Sequence, residues 1–218
     1  MVPAFRAFVR DMAAKRYDAF VIAVRLPAPA TADADADADA DVRAFGAVVR
    51  RVLTAISDAD PHGARCMRKS YIHRSFWNFS FAGHPFFVTS FAPCYARSHS
   101  RYVPRPADGN AAFDPRAGFI LLQPEASFEH RKLPFDTPET NWGDGGDGDG
   151  GGGGAAPTVR DRIRRAFRDR GCPYEIPASV SYPTAHHVVK PLRRGDPVVE
   201  WWKRLLGGAG LPAAPACG

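Results

Sequence analysis

The residues best suited to chemistry in this chain are its histidines, and they fall in three separate contexts. His186 and His187 sit side by side between Tyr182-Pro183 and Lys190-Pro191. A neutral imidazole can ligate iron or act as a base once a second group fixes its tautomer. Read as a strand, the pair would point to opposite faces, so only one histidine would enter a given pocket. The plain alternative puts one in the core and the other at the surface, and spacing alone favours it. His99 lies in the run Cys94 to Tyr102, between Arg97 and Arg101. Two neighbouring cations disfavour its protonated form and suit an anionic ligand. An ordinary basic surface loop fits that run equally well. His130 precedes Thr137-Pro-Glu-Thr-Asn141-Trp142, where polar side chains adjoin an aromatic surface. Turn chemistry with a packed Trp is the plain reading there. Cys94, near Arg97, has the setting of a thiolate ligand or nucleophile, although a buried inert thiol is the more common case.

Several elements must hold these residues. Pro3 to Lys15 is expected to be a short helix, and Ala19 to Arg25 a strand, being short, apolar and β-branched. Asp41 is expected to cap a helix whose apolar stripe is Val42, Phe45, Val49, Val52, Leu53 and Ile56. Phe76 to Phe81 and Pro85 to Phe91 flank Ala82-Gly83-His84. Aromatic residues alternate with Asn78 and Ser80, so a β-hairpin is predicted. Gly118 to Gln123 is a further strand, ended by Pro124. Thr158 opens a basic helix that Gly171 stops, and Asp196-Pro197 opens a last one. Strands in the middle and helices at both ends predict a single α+β domain over residues 1–218, with a central, mainly antiparallel sheet flanked by helices. Two low-complexity stretches, 28–40 (Ala/Asp) and 143–156 (Gly/Asp), are expected to be flexible loops.

Composition sets the outer limits. The 218 residues are 45% hydrophobic and 11% aromatic, enough for a core. A net charge of +6 favours acidic partners but names none. The Arg-rich helix from Thr158 has arginines around most of its circumference, interrupted by Asp161 and Asp169, as a solvated helix would. A nucleic-acid partner is therefore not expected. Four cysteines without a Cys-x-x-Cys pair argue against a structural zinc site. No run is long and apolar enough to span a bilayer and no secretory signal is recognisable, so a cytoplasmic protein with reduced thiols is expected. The basic, apolar opening Phe5 to Arg10 fits part of a transit peptide, whereas Asp11 and the lack of serine argue against one.

Taken together, several pieces resemble the YqcI/YcgG family. They are Phe79-Ser-Phe-Ala-Gly83 with Pro85-Phe-Phe-Val88, His99-Ser-Arg101, Phe119 to Pro124 with Ser127-Phe128, and Thr158 to Arg164. Tyr182-Pro183, His187-Val-Val-Lys-Pro191 and Val198-Val-Glu-Trp-Trp202 complete the set. The resemblance covers about residues 76 to 203. Relatives in that family include the haem-dependent N-hydroxylase of the guanitoxin pathway. What the resemblance implies is b-type haem, dioxygen activation, and hydroxylation of a guanidine or amino nitrogen of a small-molecule substrate, fed by an electron donor. A family member that binds haem or a small molecule without catalysis is the alternative, and a basic nucleic-acid binder is a more distant one. On that implication His99 or His187 is the expected iron ligand, with His130 behind them. Arg97 and Arg101 would pair with haem propionates. Trp142, Asn141 and Phe81 would line the substrate pocket, and Glu125 or Glu129 would bind a cationic substrate.

Overall fold

The computed structural model describes residues 1–26, 38–103, 114, 116–131, 166–167, 169–171, 183–193 and 195–204. Helix α1 (Val2–Lys15) leads into strand β1 (Phe20–Arg25), and α2 (Ala38–Asp58) follows. A 3₁₀ turn at Cys66–Arg68 precedes the hairpin of β2 (Phe79–Phe81) and β3 (His84–Phe91). Strand β4 (Ala117–Pro124) runs directly into α3 (Glu125–His130), and a one-turn helix α4 (Ala185–Val188) comes near the end. The four strands form one sheet in the order β1-β4-β3-β2, and every pairing is antiparallel. This is the α+β architecture expected from the sequence.

Period-two alternation divides the sheet into two faces. Ile22, Ile120, Leu122, Phe86, Val88, Phe79 and Phe81 lie on one face and are all buried. Both long helices supply apolar stripes to the same core, Phe5, Phe8, Val9 and Met12 from α1 and Val42, Phe45, Val49, Leu53 and Ile56 from α2. The basic, apolar opening of the chain is therefore part of the core. Phe5 is the hub: its ring centroid lies 5.3 Å from Phe20, 5.1 Å from Phe81 and 5.4 Å from Phe86. Gly118 is small because the α2 stripe comes close. A Cβ there would stand 3.1 Å from the Phe45 ring and 3.3 Å from the Phe91 carbonyl oxygen.

The hairpin turn has positive φ at both central residues, Ala82 (50°) and Gly83 (79°), as a type I′ turn requires. Gly adopts this readily, whereas Ala meets a steric cost. Asp60 offsets that cost, its Oδ1 accepting the N–H groups of His62 and Ala82. Ala82→Asn, giving the Asn-Gly pair this turn favours, is expected to raise stability by about 0.5–1 kcal/mol. A urea midpoint that falls instead would show that the Ala82 methyl is held by packing.

Three expectations meet corrections or limits here. Helix α2 begins at Ala38, so the last three residues of stretch 28–40 are helical, while residues 28–37 lie outside the described residues. Stretch 143–156, and the basic helix from Thr158 as far as Arg165, also lie outside them. Ala166 and Phe167 are helical, and Gly171 takes a φ of 70°, as a helix stop would. The helix expected from Asp196 is absent, since residues 197–200 are irregular and Trp201–Trp202 form a turn. Tertiary anchors override the capping signal. Buried Trp201 donates its indole N–H to the Ala185 carbonyl, and the Trp202 carbonyl accepts from Arg50.

Strand β2 is short and pairs only with His84–Phe86, so among the described residues the Phe87–Phe91 stretch of β3 has a strand partner, β4, on one side only. Helix α4 packs against β3, and the Ser90 hydroxyl donates to the Val188 carbonyl. Among the described residues no helix is long and apolar enough to cross a membrane.

Candidate functional site

The site is assembled from two distant pieces of chain. The first is the loop leaving β3, Ala92 to Val103. It closes on itself, with the Ala92 N–H donating to the Arg101 carbonyl at 3.1 Å and a bridge joining Ala92 to Tyr102. Inside it the Tyr95 and His99 rings stack at 4.4 Å and 8°. The second piece is Pro183 to Pro191. Three side-chain hydrogen bonds from elsewhere in the chain hold its backbone besides the one from Trp201: Ser90 to the Val188 carbonyl, Tyr95 to the Lys190 carbonyl at 2.9 Å, and Arg101 to the His187 carbonyl at 3.1 Å; in return the Thr184 hydroxyl donates to the Trp77 carbonyl at 2.6 Å.

The histidine pair is helical rather than extended. His186 donates its N–H to the Pro183 carbonyl and His187 to that of Thr184, both at 3.0 Å. Pro183, with no amide N–H to satisfy, suits the opening of such a turn. His187 is buried, 3% exposed, with its ring 6.1 Å from Phe87. His186 is half-buried and stacks on Trp202 at 5.8 Å and 13°. The pair thus splits into one core and one peripheral ring, as the plain reading held, but by helical rotation instead of strand alternation.

Charge around these rings is positive. Burial, reinforced by Lys190, Arg101 and His186, pushes His187 down to about 2, so it is a neutral imidazole at any physiological pH. Burial also leads for His99, with Lys190 and Arg101 adding to it, and lowers that ring to about 4 against a hydrogen bond with the Pro191 backbone. The Nδ1 of His99 accepts the Arg101 N–H at 3.0 Å, and the ring is also hydrogen-bonded to the Pro191 backbone. Arg101 is 2% exposed and lies 5.3 Å over the Phe91 ring. A guanidinium buried this deeply is rare unless something requires it.

The sequence candidates therefore separate. His99, Arg101 and His187 come together. His130 is exposed at the end of α3, next to the ion pair of Arg131 with Asp18. Arg97 and Glu129 are exposed, and Glu125 is half-buried at the start of α3. Phe81 is packed against Phe5 on the helix-covered face, opposite the one that carries Phe87. Asn141 and Trp142 lie outside the described residues. The structure adds groups that sequence reasoning left unassigned: Phe87, Thr89 and Phe91 on one face of β3, Phe128 edge-on to Phe87 at 5.9 Å, and Tyr95. The signal was present in Pro85 to Phe91, where period-two alternation sets Phe87, Thr89 and Phe91 together. What it lacks is any indication of which face carries the site.

The donor set suits a haem group. His187 offers the neutral imidazole that iron takes as an axial ligand. Arg101 offers a buried cation matched to a carboxylate, and Phe87, Phe91 and Phe128 offer apolar surface. Cys94, half-buried in the same loop, is the sulfur alternative.

No curated protein and no solved structure matches this chain. The sequence profile of the YqcI/YcgG family matches residues 1–132. That span takes in α1, β1 and α2, which the resemblance over residues 76 to 203 left out. It holds the whole sheet together with the loop bearing His99 and Arg101, while the His187 segment beyond it is bonded back onto that loop. By this match over more than half its length, the chain belongs to the YqcI/YcgG family.

Proposed function

We propose that this protein is a haem-dependent oxygenase-like enzyme that hydroxylates a guanidine or amino nitrogen of a small metabolite. The observation that carries the reading is the meeting of a buried, neutral His187 with a buried Arg101 beside an aromatic strand face. When bound, haem would supply dioxygen activation, and the protein's own groups would do the positioning. His187 would hold the iron, and Arg101 anchors its backbone by donating to the His187 carbonyl. Arg101 is also the group that would meet a propionate. His99 is better suited to support than to ligation, since its Nδ1 fixes the Arg101 backbone. Phe87, Phe91 and Phe128 would exclude water and provide the flat apolar wall. Electrons would come from a separate donor, and the expected compartment is the cytoplasm.

The absorption spectrum tests this directly. Protein expressed with haem supplementation is expected to show a Soret band, and His187→Ala is expected to abolish it while His130→Ala leaves it intact. Colourless wild-type protein would end the haem reading. A band that survives in His187→Ala and disappears in His99→Ala would move the ligand to the stacked ring. A band without turnover in the presence of dioxygen and reductant would favour a family member that binds haem without catalysis.

A further inference from the structure

Thr89 is the polar group in this region that no role so far absorbs. It is 6% exposed, and its hydroxyl oxygen has no hydrogen-bond partner. An isolated buried hydroxyl is unfavourable, and buried polar atoms are satisfied in the large majority of cases. The hydroxyl is also placed for use. Thr89 lies between Phe87 and Phe91 on the same strand face, with Leu121 opposite it on β4. Phe87 touches the His187 and Phe128 rings, and Phe91 lies under the Arg101 guanidinium. The one unsatisfied hydroxyl of β3 therefore sits between the two side chains that contact the proposed haem-binding residues.

We infer that the Thr89 hydroxyl hydrogen-bonds the reacting nitrogen-bearing group of the small-molecule substrate, holding it over this face. The inference rests on the reading above, that the site takes a guanidine or amine. A hydroxyl can accept from an N–H or donate to a nitrogen lone pair, so it serves either substrate class. Thr89 is a positioning residue on this account, because it orients the substrate without touching iron.

The test compares wild type, Thr89→Val and Thr89→Ser by calorimetric titration with L-arginine, agmatine and L-lysine, using the haem-supplemented full chain. Thr89→Val has nearly the same shape and removes only the hydroxyl. It is expected to weaken binding of the best probe about five- to tenfold. The Soret band should be unchanged and the melting temperature equal or higher. Thr89→Ser is expected to restore most of the affinity. Agmatine lacks the carboxylate and L-lysine lacks the guanidine, so their ranking shows which group the site reads. Equal affinity in wild type and Thr89→Val overturns the inference, and so does a wild type that binds none of the three probes. A missing Soret band defeats the haem reading alone, because the titration still reports whether the hydroxyl is used.

Discussion

Phe5→Ala is expected to lower the unfolding free energy by about 3–5 kcal/mol. Phe5 is fully buried, and the rings of Phe8, Phe20, Phe81 and Phe86 surround it. Those four come from α1, β1, β2 and β3, so one side chain ties the N-terminal helix to three strands. The surrounding rings are stiff and belong to separate elements, so the cavity left by truncation cannot close. Stabilities of domains this size are typically about 5–15 kcal/mol, so the variant would sit near the edge of folding. Urea unfolding followed by tryptophan fluorescence measures the change. A loss under about 1.5 kcal/mol would mean that α1 is only loosely attached. Phe5→Leu retains most of the buried volume and is expected to recover more than half of the loss.

Acidification from pH 7 to pH 5 is expected to remove about 2 kcal/mol of stability from the haem-free protein through His187 alone. Burial holds its folded-state pKa near 2, below the value near 6.5 of an unfolded histidine. The unfolded chain therefore takes up the proton first, so stability is highest above pH 6.5. It falls by about 1.4 kcal/mol per pH unit as the pH drops from there toward the folded value. His99 adds a change of the same sign down to about pH 4, reduced by its partial exposure to solvent. The surface aspartates whose pKa values ion pairs depress, Asp11, Asp18 and Asp58, respond only at lower pH. Between pH 6.5 and 5 the slope thus reports the histidines. Unfolding midpoints measured across that interval should flatten in His187→Gln. A wild-type profile already flat there would show that water reaches the ring and that the site is not dry.

Local patterns in the sequence carried most of the scaffold. The aromatic alternation around Ala82-Gly83 located the hairpin, and the Val42–Ile56 stripe identified the buried side of α2. GFILLQ marked all but the end residues of β4. These features depend on neighbours within one element, where periodicity has meaning. The candidate site was less legible because it depends on contacts without a local signature. Arg101 grips a carbonyl 86 residues away, and Tyr95 one 95 residues away. A backbone carbonyl is an acceptor in every residue type, so no motif announces it. The same cause misdirected the reading of the histidine pair, since Pro183, Trp201 and Ser90 decide its conformation from outside. It also turned the Asp196-Pro197 signal into an irregular segment, because Trp201 has a buried place to reach.

The one-sided pairing of β3 has a bearing on how the protein is made. Among the described residues Phe87–Phe91 is a strand edge with no further strand beside it, and the group that accepts from Ser90 lies 98 residues downstream. At about 5–20 residues per second, that edge waits roughly 5–20 s on the ribosome before its cover is even synthesised. Exposed edges of this kind recruit other chains. The segment around His187 thus doubles as a late-arriving guard against aggregation. A gene fragment that stops where the family profile ends would encode all four described strands yet lack the segment that covers this edge.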